Sequence, residues 1–116
     1  NSAEALTTIE RAMALGPYVP RWFSLVRGET LFDLKRYAES VQVLAAVPNH
    51  YVSGCLHLAA SRAMIGDQDG AAAACDRARA LRPMLTLTNV MRFFRYADEA
   101  KQRHFAQALS LAGLPD

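Results

Sequence analysis

Apolar residues recur at three- and four-residue intervals along nearly the whole chain, which is the spacing of helix faces. Ala5, Leu6, Ile9, Ala12, Met13 and Leu15 form the first such stripe, with Ser2 placed to cap it and Gly16-Pro17 to stop it. Pro20 opens a second helix where a missing N–H costs nothing. Its Trp22, Phe23, Val26, Leu31, Phe32 and Leu34 are apolar on more than one side, as in a helix packed between neighbours. Lys35-Arg36 make a turn, and Tyr37 starts a partner helix with Val41, Leu44 and Val47 inward and Pro48 as its stop. A fourth stripe takes Val52, Cys55, Leu56, Leu58, Ala59, Ala63, Met64 and Ile65 and ends at Gly66. Asp69 is the expected cap of a fifth, with Ala71, Ala74, Cys75, Ala78 and Leu81 inward. Met84 to Tyr96 predicts another apolar helix. Asp98 or Glu99 starts a last one, with Phe105, Ala108, Leu109 and Ala112 inward, Lys101, Arg103 and Gln107 outward, and Gly113 and Pro115 at its end. No stretch alternates with a period of two, so the expected class is all-α.

The stripes pair into hairpins. Gly28 falls where two helix backbones need a small residue to approach, and the run Gly66-Asp67-Gln68-Asp69-Gly70 followed by an alanine-rich helix and Pro83 reads as a polar turn and a second helix. Proline recurs at Pro17, Pro48 and Pro83, close to a period of about 34 residues. On Gly28, Tyr37, Gly66, Ala71, Ala78 and Pro83 the chain resembles the tetratricopeptide repeat (TPR). That resemblance implies a right-handed superhelix of antiparallel helix pairs closed by a C-terminal capping helix. One domain, 1–116, would then divide into the second helix of a truncated repeat (1–17), two repeats (18–48 and 49–83) and a final helix pair with its cap (84–116).

The tail adds a narrower likeness. Leu81-Arg82-Pro83, Arg92-Phe93-Phe94-Arg95-Tyr96 and the closing Ala112-Gly113-Leu114-Pro115-Asp116 resemble the C-terminal end of bacterial multidomain proteins. In these, TPR arrays follow a class III adenylate/guanylate cyclase domain or a winged-helix DNA-binding domain. The likeness implies a cytoplasmic regulatory or scaffold region whose active domain lies upstream. It carries over no catalytic residue.

Composition narrows the chemistry. The 116 residues are 52% hydrophobic, ample for a core, and the formal net charge of +2 leaves no basic stripe for phosphate backbones, so no nucleic-acid partner is expected. No apolar run reaches the roughly 20 residues of a membrane span. Cys55 and Cys75 read as small buried hydrophobes, and no CxxC or clustered Cys/His set suggests a metal. His50, His57 and His104 are scattered over a loop and two helices, which favours structural roles. The acidic series of the Gly66–Gly70 segment stops too soon for a calcium loop. No phosphate cradle, HExxH or GxSxG occurs, so no catalytic, cofactor or metal residue is assigned.

A helical solenoid offers a concave face lined by the first helix of each pair. The residues expected there are Trp22, Leu25, Glu29 and Phe32, then Leu56, Ala60, Ala63 and Met64, then Val90 and Phe94. The chaperone-tail carboxylate clamp of some TPR modules needs Lys, Asn and Arg where this chain has Leu25, Glu29, Leu56 and Ala60. An apolar groove of this kind suits a protein or peptide partner or the chain's own upstream domain, or it is filled by the molecule's own final helices. A homodimer through Leu6, Ile9 and Met13 is a further expectation, should that helix face lack cover.

Overall fold

The computed structural model describes residues 1–16, 20–48, 50–94 and 98–116. Pro17, Arg95 and Tyr96, used above as a helix stop and as part of the tail likeness, lie outside them. The described residues form seven helices and no strand: α1 (Ser2–Ala14), α2 (Arg21–Asp33), α3 (Tyr37–Ala45), α4 (Val52–Met64), α5 (Gln68–Leu81), α6 (Leu87–Phe93) and α7 (Glu99–Ala112). None is long and apolar enough to cross a membrane.

Local chemistry sets the ends. The Asn1 side chain accepts from the Glu4 amide and caps α1, so Ser2 lies one residue inside the helix and is not its cap. Asp67 caps α5 by accepting from the Gly70 amide at 3.0 Å, which leaves Asp69 in the first turn. That geometry makes the acidic segment an interhelical turn, closed on its other side by Gly66 at φ +84°. Asp98 caps α7, and Gly113 ends it in the left-handed region at φ +101°. The expected helix from Met84 to Tyr96 is shorter than its apolar pattern. Arg82 to Leu85 form a turn, and Thr86 caps α6 by accepting from the Asn89 amide, so the helix starts only at Leu87.

The turn after α2 brings α3 back alongside it, so that Phe32 meets Tyr37 and Gly28 meets both Ser40 and Leu44. A Cβ on Gly28 would collide with the Leu44 side chain, as the small-residue reading requires. α4 then runs beside α2 in the same direction: Leu25 touches Gly54, Glu29 binds Ser53, and Phe32 meets His57. A buried relay ties the three together. Ser61 Oγ donates to Ser40 Oγ at 3.0 Å, and Ser40 Oγ donates to the Gly28 carbonyl at 2.7 Å. Residues Gly54 to Ser61 of α4 are all buried, which makes it the central helix. Ala71, Ala74 and Ala78 let α5 pack closely against it.

α7 reaches more of the chain than the neighbouring hairpin alone. Its main packing is on α4, with further contacts to α2, α5 and α6. Along its length Lys101 Nζ donates to Ser2 Oγ, His104 meets Phe32 and Tyr37, Phe105 stacks on His57, and the Leu111 carbonyl accepts from Gln68. It therefore crosses the hairpins instead of extending their row. Lys101, expected outward, is half-buried for this reason. Leu81, expected inward, is exposed at the last residue of α5, and Leu15 of the first stripe is exposed just past the end of α1. The radius of gyration, 13.5 Å, agrees with the roughly 13 Å of a compact domain this long.

Candidate binding cleft

The ten residues expected on the concave face divide into three groups. Phe32, Leu56, Ala60, Ala63 and Val90 are buried in the core; Leu25, Glu29 and Phe94 are half-buried; Trp22 and Met64 are exposed. The face of α2 and α4 nearest Phe32 and His57 is occupied by α7 through His104 and Phe105.

That contact forms an aromatic cluster that position in sequence did not reveal. His104 stacks on Phe32 with ring centroids 4.4 Å apart, His57 stacks on Phe105 at 4.2 Å, and Phe94 closes the edge. The Tyr37 hydroxyl lies 2.7 Å from His104 Nε2. Burial, followed by the Lys35 charge, holds the His104 imidazole below its ordinary value, so it is neutral at pH 7. His57 is fully buried, and its Nδ1 donates to the Ser53 carbonyl at 2.8 Å. Since that carbonyl can only accept, Nδ1 carries a proton and does not serve as a base for the Ser53 hydroxyl, which donates to Glu29 instead. Asp33 Oδ1 is buried without a hydrogen-bond partner among the described residues, and burial pushes its carboxyl up. Both thiols are buried, and burial raises each, followed at Cys75 by the Asp76 charge. They are protonated at neutral pH and weakly nucleophilic. This cluster reads as polar packing within the core.

The open cleft lies beside Val52 and Leu56, in the same N-terminal half of α4. A cavity of about 530 Å³ sits between Val52 and Leu56 of α4, the Arg82–Leu85 turn, Asn89, Val90, Arg92 and Phe93 of α6, and Phe94 just beyond it. Three of the ten expected residues, Leu56, Val90 and Phe94, line it. Its lip is built by specific bonds. Asn89 Nδ2 donates to the Met84 carbonyl at 2.9 Å, and the Leu87 amide donates to the Pro115 carbonyl at 2.8 Å, so the C-terminal tail braces the start of α6. The result is that Met84 stands 82% exposed and Phe93 76% exposed beside an apolar floor. Paired large apolar side chains held in water next to a cavity cost solvation, which a bound partner would recover.

Met84 and Phe93 belong to the apolar run after Pro83, but their exposure was not legible there. The Thr86 cap delays the helix to Leu87, which leaves Met84 in the preceding turn and Phe93 at the end of a helix only seven residues long. A second cavity of about 600 Å³ lies between α2 and α3. Its lining includes Arg27 and Glu39, and these charges already face Glu10 and Arg36 respectively. No group of three or more His, Cys, Asp or Glu placed to hold a metal occurs among the described residues. Comparison with protein-family models, with curated proteins and with solved structures gives no match to this chain.

Proposed function

We propose that this chain is a protein-interaction module of TPR type, built on superhelically stacked helix pairs, and that it binds a segment of a protein partner at the cleft beside α6. The observation that carries this reading is the exposed pair Met84 and Phe93 on the lip of an apolar cavity whose floor includes Leu56 and Val90. The same-direction run of α2 and α4, with α3 returning between them, supports the repeat assignment, since alternate helices of such a stack are parallel. The cavity volume lies within the range of ordinary ligand pockets, which leaves room for large side chains of a docked segment.

The test is a selection of random twelve-residue peptides displayed on phage against the immobilised protein, followed by titration of the enriched peptides in solution. Enriched peptides bind the wild type and lose at least about ten-fold in affinity on Phe93→Ser, the loss typical of a truncated aromatic anchor. Because Phe93 projects into solvent, this substitution leaves the circular dichroism spectrum unchanged. Enrichment only of peptides indifferent to Phe93→Ser and Met84→Ser would remove the cleft as the binding site.

A further inference from the structure

Two guanidinium groups border the cleft. Arg82 sits in the turn that ends α5, and Arg92 sits in the last turn of α6. Both residues are exposed, both belong to the cavity lining, and neither makes an ion pair among the described residues. Among the described residues, no acidic side chain lines the cavity. A basic residue at a helix C-terminus is favoured by the backbone dipole alone, which explains the position of Arg92 on α6. It does not explain a lining in which both charges have one sign and the uncharged remainder is almost wholly apolar.

Resting on the interaction reading above, we infer that the partner is an acidic amphipathic segment: one or two large apolar side chains enter the cavity, and flanking Asp or Glu carboxylates pair with Arg82 and Arg92. Guanidinium is suited to this task because its planar fork binds a carboxylate through two parallel hydrogen bonds. The same charges argue against a second copy of the chain. A two-fold contact through this patch would gather the arginines of both copies in one interface with no carboxylate of the described lining to pair them, and concentrated like charge opposes association. A small apolar acid fits less well, because a pocket for such a ligand encloses most of it. Here Met84 and Phe93 extend the apolar surface out beyond the cavity, where only a larger partner covers them.

The phage-selected peptides provide the test. Peptides whose binding depends on Phe93 should be enriched in Asp and Glu beside their apolar anchors. Replacing those acids by Asn and Gln should weaken binding about two- to five-fold per charge, and Arg82→Gln and Arg92→Gln should each do the same, the size expected for ion pairs at a solvent-exposed rim. Raising the salt from 50 to 500 mM should weaken the acidic peptides and leave the Asn/Gln versions nearly unchanged. Phe93-dependent peptides that are neutral or basic, or whose affinity ignores both arginine substitutions, would overturn the acidic assignment while keeping the cleft. Loss of all Phe93 dependence would overturn the cleft itself. Two controls separate the other occupants. A dimer by sedimentation that Phe93→Ser dissociates would assign the patch to a second copy, and Phe93-dependent binding to phosphatidylglycerol/phosphatidylcholine vesicles would assign it to a lipid surface; either result overturns the inference.

Discussion

Gly28 shows how one residue sets a helix–helix distance. Its missing Cβ is where the Leu44 side chain packs, and its carbonyl accepts the Ser40 hydroxyl. Gly28→Ala therefore forces α2 and α3 apart at a contact that also carries the buried serine relay. We expect a loss of about 1–3 kcal/mol, the usual cost of overpacking, read as a shift in the urea midpoint. Gly28→Ala combined with Leu44→Ala should recover part of it, whereas a purely local helix-propensity effect would make Gly28→Ala stabilising by itself. This position was legible because a small residue at a repeat's close approach leaves a mark in sequence. The titrating residues were not. Asp33 and His104 lie 71 positions apart and are linked only through the docking of α7, by Lys101 and the Phe32 stack. Their pH effects have opposite signs. The His104 imidazole is held down, so the stability it allows is complete above the unfolded value of about 6.5 and declines as the pH falls from there toward the folded value. The Asp33 carboxyl is pushed up, so its charge costs stability above its folded value and protonation relieves that cost. Asp33→Asn should raise the urea midpoint at pH 7. His104→Gln should flatten the decline in stability between pH 7 and pH 5.5, and an unchanged slope would show that another group titrates there.

At the scale of the element, caps and stripes locate helices well and place them poorly. The stripe of α7, Phe105, Ala108, Leu109 and Ala112, is buried as its periodicity implies. The surface it meets was not legible: the same four residues would serve a helix at the end of a row or one lying across it. The aromatic partners decide the matter. Phe105 contacts Phe32, His57 and Phe94, residues from three other segments of the chain, and no interval in the sequence relates them. Caps misled by one or two residues where several candidates stood together, as with Ser2 beside Asn1 and Asp69 beside Asp67. At α6 the competing signal was a long apolar run, and the Thr86–Asn89 bond overrode it. Phe105 is fully buried, so Phe105→Ala should cost about 3–5 kcal/mol, a large part of the stability of a domain this size. Leu111→Ala, on the exposed side of the same helix, should cost much less. Comparable losses from the two substitutions would mean that α7 contributes helix content more than docking.

The whole molecule behaves differently from an open row of repeats because α7 joins its distant parts. In a row, each hairpin meets only its neighbours, and an end unit can be removed at local cost. Here α7 packs on α2, α4, α5 and α6, and its Lys101 reaches Ser2 on α1. Losing it would uncover Phe32 and His57, which are otherwise fully buried, at the centre of the domain. Unfolding should therefore be a single event. Trp22, the only tryptophan, lies on α2 at the opposite end of the chain from α7 and reports on that end alone. Far-UV circular dichroism reports on the helices of the whole chain together. The two urea transitions should coincide within error, since neither end can open while α7 stays docked. Phe105→Ala should move both midpoints by the same amount, although Phe105 does not lie on the helix that carries Trp22. If the Trp22 transition instead stayed in place while the dichroism midpoint fell, the N-terminal hairpin would be an independent unit, and α7 would close only the half of the domain to which the cleft belongs.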